Sequence, residues 1–272
     1  MKKILCLLLL FNLQTLNVFA SAVKDFEIRQ YNPVNMGLKD LYYEVRIEGL
    51  TKEFKKSNSL IKIEKEIYFK VFWLYPGKIE IEVEGLPKGF LAQKNQLISL
   101  VTPKVAEVIP TSLSKTLRKY ELAEKKKGKN TIVIAKDRTR SSAVTEMELT
   151  FDEESRLTKV FYRSPMGSQR VQNNYVTKAW SKNKWVKDMV VARSVTGVQS
   201  TKVETKYDYE SIKGFGLLNK IVINTEQVIN QNSKNGKELK NSIENIVQFS
   251  NHKVNENIAQ GYFRRNVSDG KN

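Results

Sequence analysis

This sequence of 272 residues contains a single cysteine and a single histidine, and no apolar run long enough to span a bilayer comfortably. Each absence removes a class of chemistry. Cys6 stands alone near the amino terminus, so the remainder of the chain can form no disulfide and no thiolate metal site. His252 has no second imidazole to work with, which excludes a multi-histidine metal centre and relay catalysis; near a predicted strand end, it reads as a surface residue. Glu80, Glu82 and Glu84 resemble paired catalytic acids only superficially, because a spacing of two puts all three on the wet face of one strand. Gly214-Phe215-Gly216 is too short for a phosphate loop and reads as a turn. The inventory yields no catalytic residue, no metal and no cofactor, and the expectation is a protein that is not an enzyme.

Acids are also in deficit, with 29 Asp and Glu against 46 Lys and Arg and a formal charge of +17. In a cytosolic protein such an excess would point first to nucleic acid. The amino terminus argues otherwise. Lys2 and Lys3 precede a short apolar run from Ile4 to Leu13, and Ala20-Ser21-Ala22 follows as an A-x-A cleavage site, the pattern of a secretory signal. The reading is a signal peptide over residues 1–22, cleaved after Ala22 or, alternatively, after Ala20, and no nucleic acid partner. Export leaves anionic membrane surfaces as partners for the charge. Basic residues concentrate between Lys115 and Arg140, where ten of them face three acids. Within this run Lys125, Lys126, Lys127 and Lys129 are the candidates for contact with a membrane surface, the alternative being a solvated loop and strand rim.

The body of the chain alternates apolar and polar residues, the period of a strand with one dry face. Leu41 to Glu48 puts Leu41, Tyr43, Val45 and Ile47 on one side. The run from Ile61 to Leu74 reads as one long strand with Ile61, Ile63, Ile67, Phe69, Val71 and Trp73 aligned, and Pro76-Gly77 turns it into a strand carrying Ile79, Ile81 and Val83. Eight further strands follow from Thr131 to Asn251, joined by turn-forming clusters such as Asp152-Glu153-Glu154-Ser155 and Lys213-Gly214. Short links make sequential strands antiparallel neighbours. Only between Pro87 and Glu124 does the period become helical. Phe90, Leu91, Leu97, Ile98 and Val101 lie on one helical face, Thr102-Pro103 reads as the start of another turn, and Ser112 as the N-cap of a last short helix.

These elements, in this order, and the closing segment Ile246-Val247-Gln248-Phe249-Ser250-Asn251-His252-Lys253-Val254-Asn255 with Tyr262-Phe263, resemble the outer-membrane lipoprotein carrier (LolA-type) and lipoprotein-sorting family. Tyr207-Asp208-Tyr209 through Gly214-Phe215 to Ile221 looks like that family's penultimate hairpin. The resemblance implies a mainly β, half-open antiparallel barrel, a curved meander with lid helices inserted after the early strands, over residues 23–263; the residues after it, 264–272, read as a disordered tail. It implies a monomeric periplasmic carrier of lipid or lipoprotein acyl chains. Val45, Ile47, Ile63, Ile67, Phe69, Val71, Trp73, Ile79, Ile81 and Val83 would line the cavity under a lid of Phe90, Leu91, Leu97, Ile98 and Val101. The family's lid-latching arginine would fall on an early strand, where Arg46 is available. The alternative function is an envelope sensor or interaction module of the same fold that binds a protein partner.

Overall fold

The computed structural model describes residues 21–58, 61–139, 141–196, 199–230 and 238–268. The expected signal segment up to residue 20 with Cys6, Arg140 in the basic run, the expected loop at 231–237 with its Asn235-Gly236 turn, and residues 269–272 of the expected tail lie outside these. Twelve strands form one antiparallel curved sheet that is not closed into a barrel. They are β1 (Asp40–Ile47), β2 (Tyr68–Leu74), β3 (Lys78–Glu84), β4 (Glu121–Lys127), β5 (Asn130–Lys136), β6 (Glu146–Phe151), β7 (Leu157–Ser164), β8 (Gly167–Val176), β9 (Val186–Thr196), β10 (Gln199–Ile212), β11 (Phe215–Asn230) and β12 (Glu238–Val254). Across the sheet their order is β3-β2-β1-β12-β11-β10-β9-β8-β7-β6-β5-β4. The β1–β12 pairing, Leu41 opposite Val254 and Ile47 opposite Val247, joins the two ends of the meander.

Five helices accompany the sheet in the described residues: α1 (Ser21–Arg29), α2 (Leu50–Ser57), α3 (Leu91–Val105), α4 (Leu113–Leu117) and α5 (Ile258–Ser268). Alternation gives each strand one inner face, and two separate apolar clusters cover it. The first joins β1, β2, β3, β11 and β12 to α2 through Phe54 and to α3 through Leu97, Val101 and Val105. The second joins Val133, Leu149, Phe151 and Val160 to α1 through Ala22, Val23 and Phe26, and to α4 through Leu117. A third, small cluster lies on the outer face, where α5 packs Ala259 and Phe263 on Phe72. Tyr262 stacks on Phe72 with ring centroids 3.9 Å apart and donates its hydroxyl to Glu82.

The structure departs from the sequence reading at five places. The long strand from Ile61 is only its second half, β2; residues 61–67 are irregular, and Ile63 and Ile67 reach the core without strand pairing. Helix α2 accounts for this: its Leu50 and Phe54 pack into the same cluster, and residues 61–67 bring the chain back to the sheet, with the Ile67 amide donating to Thr51 Oγ1 (2.9 Å). Thr102-Pro103 starts no new helix. Pro103 lies within α3, where the Thr102 hydroxyl donates to the Ile98 carbonyl (2.7 Å). The lysines from 125 to 127 form part of an edge strand, β4, rather than a loop. The helix α5 continues through residues 264–268, where the reading placed a disordered tail. His252 is not at the surface: its side chain is 1% exposed, stacks on Tyr43, and has Nδ1 3.2 Å from Glu210 Oε1 without hydrogen-bond geometry. Burial holds this imidazole below its ordinary value, against the opposing pull of Glu210.

The closing segment works as a clasp. Asn255, at φ 54°, accepts from the amides of Lys39 (2.8 Å) and Asp40 (3.1 Å) and donates to the Gly37 carbonyl (3.2 Å). Buried Asp40 in turn accepts from the Ala259 and Gln260 amides at the start of α5, the side-chain role of an N-cap. Asn255→Ala removes three hydrogen bonds and leaves a β-carbon residue less suited than Asn to the left-handed region. The expected loss is about 1–2 kcal/mol of stability with an unchanged m-value, read by urea unfolding; a loss within error would mean the clasp is redundant with the β1–β12 ladder.

Candidate functional site

The inner face is where the expected site residues meet. Val45, Ile63, Ile67, Phe69, Val71, Trp73 and Val83 are buried in one cluster with Leu97 and Val101 of α3, and Ile47, Ile81 and Ile98 pack against it. The face is therefore filled by the helix rather than left open beneath it. Three expected residues do not join. Ile79 is 44% exposed and Leu91 71% exposed, because Ile79 sits at the turn end of edge strand β3 and Leu91 at the first position of α3, beyond the cover of the neighbouring element. Phe90 is half-buried as the residue preceding α3.

Open space lies on both sides of the link between α3 and α4. One cavity, of about 370 Å³, has Tyr43, Trp73, Ile79, Val105, Ile109 and Lys115 among its walls. A second, of about 300 Å³, is lined by Phe26, Leu113, Val160, Tyr162, Tyr175 and Lys187 among others. Ala106, Pro110 and Thr111 line both. Residues 106–111 thus form a strap between two chambers, each beside one of the two apolar clusters. Of the residues expected to line a cavity, Trp73 and Ile79 do so. The second chamber was not expected, since its walls come from α1 and from strands whose alternation reads as ordinary core.

The strap is tied by polar contacts. Glu107 Oε2 pairs with Lys187 Nζ at 3.0 Å, and Asn32 donates to the Pro110 carbonyl (3.2 Å). Beneath it, burial raises the phenols of Tyr207 and Tyr209, and the Glu107 carboxylate raises both further. Those tyrosines stay neutral at any ordinary pH. Arg46 does not latch this cover. It lies on the outer face, bonded to Glu44 (3.0 Å), Glu66 (3.5 Å) and Ser250 (3.2 Å), with its guanidinium 4.7 Å from the Tyr68 ring centroid. Lys125, Lys126, Lys127 and Lys129 are exposed at the far edge of the sheet, away from both chambers.

The wall of the second chamber depends on Glu27. Its carboxylate accepts from Ser112 Oγ (2.6 Å) and from the Ser114 amide (2.7 Å) and hydroxyl, which fixes α1 to the start of α4. Burial alone would raise this carboxyl, but the serine donors outweigh it and hold it below its ordinary value of 4.5. A depressed folded value contributes stability that is present above the unfolded value and is lost as the pH falls through the folded one. The stability difference between parent and Glu27→Gln is therefore expected to be largest near neutrality and to shrink below pH 4.5. Urea unfolding across the acid range measures it; a difference independent of pH would show that the charge on Glu27 plays no part.

Among the described residues no helix is long and apolar enough to cross a membrane, and no group of three His, Cys, Asp or Glu is placed to hold a metal ion. Comparison with protein-family models, with curated proteins and with solved structures returned no match.

Proposed function

We propose that this chain is an exported carrier of lipid or lipoprotein acyl chains, acting in the periplasm without bond chemistry. The observation that carries the reading is a curved sheet left open at both edges, with the strap at 106–111 lying between two chambers of its inner face. Each chamber is at the lower end of the range of small-ligand pockets, about 300–1,000 Å³. A whole acyl chain therefore needs the strap to lift so that the chambers join. The Glu107–Lys187 pair and the Asn32 contact hold the closed state, and burial of about 0.8 kcal/mol per methylene drives the open, loaded one. The LolA-type resemblance of element order and closing segment supports the same reading. Ala22 is buried in the packing of α1, so cleavage after Ala20 leaves that contact whole and is the favoured end of the signal.

Ala106 touches both chambers, which makes one substitution a test of the whole site. Ala106→Trp is expected to weaken binding of a fluorescent fatty-acid probe at least about tenfold, the scale of losing one or two buried methylenes' worth of contact, while circular dichroism stays native. Undiminished probe binding in a folded Ala106→Trp protein would remove the inner face as the cargo site.

The lysine-rich edge contributes the membrane contact in this reading. Strand edges need charge in any case, to prevent pairing with another chain. Reversing Lys125, Lys126 and Lys127 to glutamate keeps that protection and changes only the sign. The triple variant is expected to lose binding to anionic vesicles at low salt, about 1 kcal/mol per basic residue in the parent, with unchanged affinity for the fatty-acid probe. Equal vesicle binding by parent and variant would reduce the run to edge protection.

A further inference from the structure

The outer face of the sheet carries a second cationic group that edge protection does not explain. In the β7–β8–β9 register Phe161 lies opposite Arg170, and Arg170 lies opposite Arg193; one step along, Lys159 lies opposite Gln172. Directly opposed side chains on antiparallel strands are neighbours, and like charges in that position are destabilising. Two arginines face each other here on interior strands, which have no free edge to guard. Nor does the fold neutralise them. Arg193 Nη1 donates to Gln172 Oε1 (3.2 Å), and the Arg170 guanidinium lies 5.8 Å from the Phe161 ring centroid. Among the described residues neither these two arginines nor Lys159 lies within ion-pair distance of a carboxylate. Two acids on the neighbouring strands β10 and β11, Glu204 and Glu226, are turned to Lys202 at 3.8 and 3.6 Å, and Glu204 also to Lys206 at 3.3 Å.

These side chains surround a groove of about 360 Å³, with Thr150, Lys159, Phe161, Arg170, Gln172 and Arg193 in its walls and Glu148 at one side. Its apolar lining is the half-buried Phe161 ring, with Val160 and Val171 beside it. The groove thus holds guanidinium groups without a carboxylate partner beside an aromatic ring. Guanidinium forks match the oxygen spacing of phosphate, and lysine adds a point charge. With the Gln172 carbonyl engaged by Arg193, the rest of that amide is a donor, and the Thr150 hydroxyl supplies another. Three cations against Glu148 leave two positive charges, the complement of a phosphate monoester, which carries about −1.5 to −2 at pH 7.

We propose that this outer-face groove is a phosphate site, taking a phosphate monoester of headgroup size between Arg170, Arg193 and Lys159. It is independent of acyl-chain transport, since the side chains that would hold the phosphate, Lys159, Arg170 and Arg193, alternate with the chamber-lining Val160 and Val171 and so lie on the opposite face of the sheet. The ligand is either a soluble phosphorylated molecule or the headgroup of an anionic lipid, and the two sources are separable. Glycerol phosphate, titrated by calorimetry into the full-length mature protein, is the soluble probe; phosphatidylcholine vesicles with and without phosphatidic acid are the membrane probe.

Glycerol phosphate is expected to bind the parent, and Arg170→Gln and Arg193→Gln are each expected to weaken it about tenfold or more, the scale of a lost charge-assisted hydrogen bond. Neither variant should melt below the parent, because each relieves a like-charge opposition. Ala106→Trp and the Lys125, Lys126, Lys127 reversal should leave this binding intact, which separates the result from the fate of the carrier reading. Capture by phosphatidic-acid vesicles that also depends on Arg170 and Arg193 assigns the site to a lipid headgroup; glycerol phosphate binding without such capture assigns it to a soluble ligand. Absence of both in the parent, or undiminished binding in the folded variants, would overturn the proposal. So would equally tight binding of polyglutamate, in favour of an acidic protein segment.

Discussion

The pairing of β1 with β12 is the constraint from which the rest of the molecule follows. It places β3 and β4, consecutive in the chain, at opposite edges of a twelve-stranded sheet. Laid flat, such a sheet would be about 50 Å wide at ~4.8 Å per strand, whereas the 15 residues of α3 extend only about 22 Å. The connection from Gly85 to Tyr120 must therefore travel across a face, and the curved sheet brings its edges within comfortable reach. The cover over the inner face is this connection. No separate lid domain is needed to make one. At its start the chain is pinned closely: a β-carbon at Gly85 would stand 2.2 Å from the Glu66 carbonyl oxygen, so only glycine lets the crossover leave β3 there.

The crossover also explains why the site is divided. α3 satisfies the apolar face of β1 to β3, and α4, held by α1, satisfies that of β5 to β7. Between them the chain passes over strands whose inner residues include Tyr207 and Tyr209 and the neighbouring Lys187, a more polar stretch than either flank. Packing that would fill the gap with aliphatic side chains would fix the strap permanently. A paired glutamate and lysine instead hold it through an interaction whose desolvation offsets much of its attraction, which suits the lifting that the proposed carrier function requires.

How far the sequence discloses this structure depends on whether an element's order is local. Alternation marks β5 to β12 because each strand has one dry face, and Ser112 marks α4 because its hydroxyl accepts from the Lys115 amide, a contact within one turn. The inner-face residues from Val45 to Val83 are legible for the same reason. What alternation does not encode is whether a face is packed or open, so the expected lining is mostly core and only Trp73 and Ile79 border free space. Residues 61–67 mislead because Ile61, Ile63 and Ile67 keep the strand period while tertiary contacts, not pairing, bury the latter two. β4 is hidden for the opposite reason: Lys125-Lys126-Lys127 has no dry face, and its strand character comes entirely from hydrogen bonds to β5. The second chamber is invisible because α1 overlaps a segment whose composition reads as the end of a signal.

Charge placement carries the remaining information, and its meaning is set by topology rather than by number. Lysines on β4 and glutamates on β3 occupy the two edges, where any exposed strand needs them. Asp152 with Arg156, and Lys70 with Glu84, are paired within the fold at 2.8 and 2.6 Å and leave nothing over. Arg170 and Arg193 fit neither description: they are interior, adjacent and unpaired. A sheet gains nothing in stability from opposing two guanidinium groups on its solvent face, when glutamine or threonine at either position would remove the repulsion. In the proposal above, that stability cost, at a groove lined by hydrogen-bond donors, is offset by an anion on binding.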